Sequence, residues 1–388
     1  MLTSLAVDNY RSLRRLVVPL APLNLITGAN GSGKSNLYRA LRLLAETAQG
    51  GVVNALAQEG GLASTFWAGP EKLSRGMRSR EHPVEGGPRQ QAVRLRLGFA
   101  DEDFSYAIAL GLPTPSRSLF ALDPEIKGEW IWSGAVHRNA SALVERDGAL
   151  VKVRAGREWK MLSRNTASFD SIFTQHADPV SAPEILSLRE RIKGWRFYDH
   201  FRTDSAAPTR MTRLGTRTPV LHHDGRDLAA ALATIREIGD GSALDDAIGD
   251  AFPGAHLDIE GEAGNQLALA FHQEGLLRPL SAMELSDGTL RYLLWVAALL
   301  TPRPPPLMVL NEPETSLHPD LLPALARLIS LAAQRTQVWV VSHASRLIAA
   351  LEADQHCNTI ELEKDFGATA ARGQGLLDAP PWRWPDGD

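Results

Sequence analysis

The chain has 388 residues, of which 44% are hydrophobic and 22% charged, with a formal net charge of −4. This is the composition of a globular protein, and the small negative charge argues against a basic, nucleic-acid-binding surface over the whole molecule. The single cysteine, Cys357, excludes a disulfide framework and fits a reducing cytosol. The longest apolar run, 293–300, is far shorter than the ~20 residues of a membrane span. We therefore expect a cytoplasmic protein that does not enter a membrane.

The first 48 residues predict short strands followed by a helix. The apolar segment 23–27 ends at a glycine-rich turn, as a buried central strand does. After the turn, the spacing of Leu37, Leu41 and Leu44 predicts a helix over 35–48.

The middle of the chain differs from the first part in composition and in its hydrophobic pattern. Residues 69–90 are polar and rich in Gly, Pro and Arg, which predicts a loop. Alternating and helical patterns then follow, and Ser181 is a candidate N-cap for the first helix. The predicted strands are 93–99, 106–110, 126–132 and 266–272, and the predicted helices are 181–195, 228–238 and 243–252.

From residue 281 the pattern becomes that of alternating helices and buried strands, which predicts a parallel sheet. The predicted helices are 289–300, 321–333 and 344–353, and the predicted strands are 304–314 and 337–343. We predict one α/β body that is built from both ends of the chain. Its parts are residues 1–70 and 276–388, and an inserted mixed α/β lobe fills 71–275.

The strongest motif fits the pattern G-x-x-x-x-G-K-[ST] completely. It consists of Gly28, Ala29, Asn30, Gly31, Ser32, Gly33, Lys34 and Ser35. Such a loop turns its amides towards phosphates, and the following helix adds its N-terminal dipole. We expect Lys34 to contact the β- and γ-phosphates and Ser35 to bind Mg²⁺, with Asn36 next to them at the nucleotide. The alternative is a chance glycine-rich turn before a helix.

A second group of candidates follows buried strands near the C-terminus. Within the predicted strand 304–314, the apolar segment 307–312 ends in Asn311-Glu312, where a Walker B element provides acidic residues. Glu312 is a candidate general base for the attacking water, or else a structural cap. Asn311 stands where Asp is usual, and its neutral carbonyl can accept a hydrogen bond from a metal-bound water, which predicts weaker Mg²⁺ binding. His343 ends the next strand and is a candidate γ-phosphate contact or a structural residue.

The segment LSDGT, 285–289, opens the helix before this strand. It resembles the ABC signature LSGGQ, in which the Ser hydroxyl and Gly amide face the γ-phosphate bound by the other subunit. Ser286 and Gly288 would take these roles. Ser286 is also a plausible helix N-cap, and both interpretations can hold together.

In chain order, these elements resemble those of an ABC-type ATPase, which implies the fold of an α/β P-loop NTPase: an ABC-type ATPase head with an inserted mixed α/β lobe. Several segments of the chain resemble the RecF/SMC-like bacterial AAA family ATPases of the AAA-21 type. They are NYRSL, LITGANGSGKSN, ELSDGTLRYL, VLNEPETSLHPDLL and VVSHASRLI, together with 197–210. The resemblance implies ATP and Mg²⁺ as ligands, hydrolysis assisted by Glu312, His343 and Lys34, and a homodimer around two MgATP. It also implies that Arg11 reaches the nucleotide phosphates, although Arg11 could equally be surface charge. Segment 316–320 corresponds to the loop that crosses the dimer interface.

The resemblance leaves the partner open. Neither a Toprim nuclease domain nor long coiled coils are evident, so we expect neither nuclease activity nor bridging. DNA, in repair or phage defence, is one candidate partner, because segments 72–96 and 202–217 are Arg-rich. These arginines could equally form a solvated face or contact a phosphate within the same subunit. A separate effector protein is the alternative, and a transporter energy subunit is disfavoured by the long separation of Lys34 from Ser286.

Overall fold

The computed structural model describes residues 1–71, 74–79, 81–85, 93–115, 117–262, 264–375 and 378–387. The chain forms two compact units. Unit 1 contains the described residues of 1–21, 28–194 and 360–388, and unit 2 contains those of 22–27 and 195–359. Residues 72–73, 80 and 86–92 of the predicted loop and Arg-rich segment lie outside the described residues. The predicted insertion, residues 71–275, was defined by sequence pattern, whereas these two units are defined by contacts within the folded chain. The limits of the insertion therefore stay a prediction.

The described residues form seventeen strands. In chain order they are β1 (Leu2–Tyr10), β2 (Leu13–Pro19), β3 (Leu23–Gly28), β4 (Leu95–Asp101), β5 (Phe104–Gly111), β6 (Glu125–Ser133), β7 (Ala142–Asp147), β8 (Leu150–Ala155), β9 (Glu158–Ser163), β10 (Arg196–Tyr198), β11 (Arg213–Leu214), β12 (His256–Glu262), β13 (Gln266–His272), β14 (Leu307–Asn311), β15 (Gln337–Val341), β16 (Cys357–Asp365) and β17 (Ala368–Ala371).

Eleven α-helices occur in the same described part of the chain. They are α1 (Lys34–Thr47), α2 (Val52–Gln58), α3 (Leu62–Thr65), α4 (Arg75–Arg78), α5 (Ile172–Gln175), α6 (Pro183–Lys193), α7 (Leu228–Ile238), α8 (Gly241–Ala251), α9 (Asp287–Leu299), α10 (Leu322–Ala333) and α11 (Ser345–Glu352). Among these described helices, none combines the length and the apolar character that crossing a bilayer requires.

Unit 1 is built on an antiparallel sheet in the order β2-β1-β4-β5-β6-β7-β8-β9. The strands predicted at 93–99, 106–110 and 126–132 are confirmed as β4, β5 and β6. Helix α1 packs against β1 and β4. A fully buried ion pair joins β6 to β7, with Arg146 Nη1 2.7 Å from Glu129 Oε2. Because Tyr106 and Ser171 also donate to Glu129, the buried carboxylate is well satisfied.

The predicted N-cap of α6 is wrong. The helix begins at Pro183, and its N-cap residue is Ala182, which has no side-chain cap. The Ser181 hydroxyl instead donates to Asp178 Oδ1 at 2.8 Å, and the Ser181 amide donates to the same oxygen at 2.6 Å. Asp178 therefore forms a local turn of its own before the helix, and Pro183 supplies the fixed φ that a first helical residue needs.

Unit 2 contains a parallel sheet in the order β10-β14-β15-β3. The strands and helices predicted between 289 and 353 are confirmed as α9, β14, α10, β15 and α11. The apolar sequence of α9 is explained by burial, because every residue from Leu290 to Leu299 is buried. A second, antiparallel sheet has the order β11-β13-β12.

Strands β16 and β17 have no counterpart among the predicted elements. β16 begins in unit 2, where Asn358 donates to Asn24 Oδ1 at 3.0 Å. It continues into unit 1, where it pairs with β17 in antiparallel register. Cys357 lies at its start, and burial raises the pKa of the Cys357 thiol to about 11. The thiolate is therefore scarce at neutral pH, as expected of a spectator residue.

Candidate functional site

The phosphate loop lies between β3 and α1, the strand–loop–helix context that the motif requires. Gly28 and Gly33 have φ angles of 134° and 116°, which other residues rarely adopt. A Cβ atom at Gly28 would collide with the Leu362 carbonyl oxygen, and one at Gly33 would collide with the Thr369 side chain. Both positions therefore need glycine for conformation and for space.

Lys34 is buried at the start of α1, and its side chain folds back over the loop. Its Nζ donates to Gly28 O at 2.6 Å and to Ala29 O at 3.2 Å. Ser35, by contrast, is exposed. The loop therefore holds one ammonium group inside its curve and leaves a hydroxyl accessible at the helix N-terminus.

A chain of hydroxyl groups supports the loop from below. Thr369 Oγ1 donates to Ser32 O at 2.7 Å, and the Ser12 and Thr369 hydroxyls lie 2.7 Å apart. Asn36 donates to Ser12 Oγ at 2.8 Å. These contacts tie the turn between β1 and β2, together with β17 and α1, to the loop. Ser12 and Thr369 were not among the sequence candidates: Ser12 lies within the segment NYRSL but had no role assigned to it, and Thr369 belongs to none of the motifs.

Arg11 is engaged by a carboxylate of its own unit. Its Nη2 lies 2.8 Å from Glu59 Oε2, and Tyr10 donates to the same carboxylate. Burial alone would lower the pKa of Arg11, but its hydrogen bonds and charge interaction with Glu59 raise the pKa overall. Its φ of 50° is unusual for a non-glycine residue. Gln58 lines the same groove as Arg11.

In unit 2, three parallel strands end at one edge of the sheet. Val341 of β15 lies opposite Ile26 of β3 on one side and Asn311 of β14 on the other. Along the chain, Thr27 is followed by the phosphate loop and Asn311 by Glu312. The parallel register therefore collects the strand ends that carry the candidate residues of this unit.

Glu312 and His343 are brought together at this edge. His343 Nδ1 lies 3.7 Å from Glu312 Oε1, and both side chains are about half exposed. Glu312 has a left-handed backbone conformation, with φ of 50°, and its amide donates to Val341 O at 2.8 Å. A left-handed carboxylate residue at a strand end is a feature that functional sites often contain.

A second carboxylate, Glu314, organises the turn after β15. Its Oε1 accepts hydrogen bonds from the Ser342 hydroxyl at 2.7 Å and from the amides of His343 at 3.0 Å and Ala344 at 3.2 Å. Glu314 is buried, and its Oε1 also lies 3.5 Å from His343 Nδ1. Sequence reasoning missed this residue, and the only available signal was a second acidic residue two positions after Glu312.

The segment 285–289 forms the turn that opens α9. Ser286 is the N-cap, because its Oγ accepts from Thr289 N at 3.1 Å, so this interpretation is confirmed. Ser286 remains exposed, and the space beside Gly288 is limited by Ser316 O. The signature-like turn and the segment 316–320 are therefore neighbours in unit 2.

Two buried arginines stabilise this region: Arg210 contacts the turn itself, and Arg291 connects α9 to two neighbouring segments. Arg210 donates to Leu285 O at 2.8 Å and to Ala282 O at 2.9 Å, and it pairs with Asp287 at 2.6 Å. Arg291 donates to Phe201 O and to Thr315 O, each at 2.8 Å. These contacts give segment 197–210, which the sequence left without a mechanism, a structural role. Arg210 is thus an internal residue, which neither the DNA hypothesis nor the predicted alternatives for these arginines had anticipated.

Replacing Arg210 with Met should loosen the turn that opens α9. The carbonyls of Ala282 and Leu285 would lose a charged donor, at a cost of about 1–3 kcal/mol for each group left unsatisfied. Hydrogen exchange followed by mass spectrometry should show faster exchange across 281–290 than in the native chain. Arg202→Met is the control, because Arg202 is exposed and pairs only locally with Asp204. Equal protection in both variants would contradict this role.

Among solved structures, the chain resembles heads of SMC proteins. An Smc head bound to the C-winged helix domain of ScpA has 13% identity and a TM-score of 0.49, with 97% of this chain and 99% of that chain covered. The SMC head domain from Thermotoga maritima has 14% identity and a TM-score of 0.47, with coverage of 97% and 99%. An Smc head from Pyrococcus furiosus, bound to the C-terminal domain of ScpA, has 12% identity and a TM-score of 0.49, with 97% of each chain covered.

No functionally curated protein matches the chain. A sequence model of one protein family, described as "AAA domain, putative AbiEii toxin, Type IV TA system", matches residues 23–349. This range starts at β3, before the phosphate loop, and ends within α11, after His343. The predicted fold class, a mixed α/β P-loop NTPase of ABC type, is confirmed. Because the family model covers most of the chain, the protein belongs to the AAA_21 family of AAA domains.

Proposed function

We propose that this protein binds MgATP through the phosphate loop, hydrolyses it, and forms a homodimer while ATP is bound. The observation that carries the proposal is the loop itself. Its two glycines with positive φ and its buried Lys34 form a cradle suited to phosphate. The pairing of Glu312 with His343 at a strand edge supports hydrolysis as well as binding.

On the binding side, Lys34 and the loop amides hold the phosphates. The amides belong to residues 28–35, and Asn36 keeps α1 fixed to Ser12 beneath them. Ser35 and Asn311 are the residues that would hold Mg²⁺, and their accessible oxygen donors fit this cation, which prefers oxygen ligands and retains water. When bound, Mg²⁺ neutralises phosphate charge. Asn311 supplies no negative charge, so we expect weak Mg²⁺ affinity.

For hydrolysis, Glu312 accepts the proton of the attacking water. His343 lies beside Glu312 and donates towards the γ-phosphate, while Lys34 stabilises the charge on the transferred group. Glu314 is a positioning residue, because it fixes the backbone on which His343 is carried. Arg11 can join the phosphates only by sharing or leaving Glu59, so its predicted contact requires a local rearrangement.

For dimerisation, Ser286 and Gly288 cover the ATP bound by a second copy. A carboxylate such as Asp287 in this turn would repel phosphate, but its charge is offset by Arg210. The helix N-terminus behind it remains favourable for an anion. Two equivalent ATP sites then stabilise the dimer by mass action, and hydrolysis releases it.

As the partner that this cycle controls, we favour a separate effector protein over DNA. Of the four arginines proposed for DNA between 202 and 217, Arg210 is buried and Arg202 pairs with Asp204. Arg213 and Arg217 remain exposed. DNA repair or phage defence through duplex binding is the second candidate.

Replacing Lys34 with Ala should weaken ATP binding by about 10–100-fold, since a charged hydrogen bond is worth about 1.5–3 kcal/mol. Equilibrium binding of a fluorescent ATP analogue measures this change. Lys160→Ala is the matched control, because Lys160 is an exposed lysine on β9, away from the loop. If Lys34→Ala binds ATP as tightly as the native chain, the assignment of the phosphate loop fails.

Replacing Glu312 with Gln should lower ATP turnover by about 10²–10⁴-fold, the usual contribution of a general base. Binding should persist, so the variant should accumulate as a dimer with MgATP in size-exclusion chromatography with light scattering. Glu352→Gln, an exposed residue that ends α11, should turn over ATP like the native chain. Unchanged turnover would disprove the role of Glu312, and the absence of a dimer at any ATP concentration would disprove the sandwich.

The two partner hypotheses differ in the salt dependence of DNA binding. Each phosphate contact contributes about 0.9 to the slope of log affinity against log salt concentration. If the chain acts on DNA, replacing Arg213 and Arg217 with Gln should lower this slope by about 2 in anisotropy titrations with duplex DNA. The effector hypothesis expects no change, and Arg202→Gln serves as the control. A lower slope in the double variant alone would overturn our preference.

A further inference from the structure

The hairpin of β12 and β13 carries a triad of possible metal ligands, His256, Asp258 and His272, here named the hairpin triad. His256 lies directly opposite His272 in the antiparallel register, and Asp258 follows two residues later on β12. Since alternate residues of a strand share a face, all three side chains lie on one face of the hairpin. Their exposed fractions are 63%, 54% and 32% for His256, Asp258 and His272, so an ion from solvent can reach them.

The donor atoms of the hairpin triad converge. His272 Nε2 lies 3.3 Å from Asp258 Oδ2, and His256 Nε2 lies 3.9 Å from the same oxygen. The two imidazole rings are stacked, with centroids 4.1 Å apart and an interplanar angle of 7°. A tetrahedral zinc ion with bonds of about 2.0–2.1 Å would separate its ligand atoms by about 3.4 Å. The measured separations are close to this value, and rotation of one imidazole ring out of the stack would let both ring nitrogens and the carboxylate point at a single ion.

We propose that the hairpin triad binds a late first-row divalent transition-metal ion, with Zn²⁺ as its representative. Two imidazole nitrogens and one carboxylate suit zinc, nickel or copper, whereas magnesium and calcium prefer oxygen ligands alone. Three protein ligands leave at least one position for water or for a ligand from another molecule. The site is separate from the proposed nucleotide site and does not rest on the proposed function.

The hairpin that carries the triad is anchored to the hydrophobic core of unit 2. The opposite face of the hairpin carries Leu257 and Phe271, both 1% exposed in the core of unit 2. The two strands pair along seven consecutive positions, from His256–His272 to Glu262–Gln266. Ligands on paired strands with a buried reverse face are held more closely than ligands on a loop.

A second group of residues with similar chemistry is already engaged. His222, His223 and Asp224 also lie close together in the described part of the chain. However, the Arg226 guanidinium contacts the His222 ring, and His222 Nδ1 is 2.7 Å from Asp224 Oδ1. A metal ion there would meet a fixed positive charge, so the hairpin triad is the stronger site.

Isothermal titration calorimetry of the chelator-treated, nucleotide-free protein with ZnCl₂ tests the proposal. The native chain should take up one Zn²⁺ that depends on the hairpin triad. His256→Asn and Asp258→Asn should each lower its affinity by more than about tenfold, since even outer partners of metal ligands contribute about 10–100-fold. Cobalt(II) should give a ligand-field absorption spectrum in the native chain that both variants lose.

The control variant is His356→Asn, which removes another exposed histidine of unit 2 and should leave zinc uptake unchanged. Thermal unfolding without metal should be the same for all these chains, because the replaced side chains are exposed. Zinc should raise the unfolding temperature of the native chain and of His356→Asn alone. Absence of saturable uptake, equal affinity in His256→Asn, or loss of uptake only in a His222→Asn/His223→Asn variant would each overturn the proposal.

Discussion

The parallel register of β3, β15 and β14 determines where the candidate residues of unit 2 lie. Val341 sits beside Ile26 and Asn311, so strands that are far apart in the sequence end at the same edge of the sheet. Backbone hydrogen bonds fix this alignment, and buried apolar side chains such as Leu25, Leu310 and Val340 keep it in place. The candidate residues follow the strand ends directly. Their proximity is thus a property of the sheet rather than of the polar residues themselves.

That edge contains unfavourable backbone geometry which its surroundings compensate. A left-handed conformation at Glu312 costs about 1–2 kcal/mol, and the residue also keeps an accessible charge. The Glu312 amide donates a hydrogen bond to Val341 O, and Glu314 accepts three further hydrogen bonds. Together these bonds fix the backbone on both sides of the Glu312–His343 pair. A carboxylate and an imidazole are therefore presented together without relying on their weak mutual contact at 3.7 Å.

The sequence predicted those parts of the fold that local patterns encode. Continuous apolar runs identified β3, β14 and β15, and helical spacing identified α1, α9 and α10. Strands β7 to β9 were missed because each is only six residues long and carries two or three charged residues, which interrupts the apolar pattern. The N-cap at Ser181 was wrong because a nearby Asp offered the hydroxyl a competing local bond.

The candidate site was predictable to the extent that its motifs are contiguous. The phosphate loop, Glu312 and His343 follow from strand-end positions and from family resemblance, and their roles stay predictions. Ser12, Glu314 and Thr369 could not be found in this way, because each acts through a partner that only folding brings near. Arg210 illustrates the same limit, since a charge that could have met DNA is instead buried among carbonyl groups.

The hydroxyl chain beneath the phosphate loop has a consequence for biosynthesis. Ser12 and Thr369 are separated by 357 positions in the sequence, yet they support the same loop. A ribosome adds residues from the N-terminus, so the loop is made long before the strand β17 that supports it. A nascent chain therefore completes the support of this loop only after residue 369 has been made and both distant segments have come together.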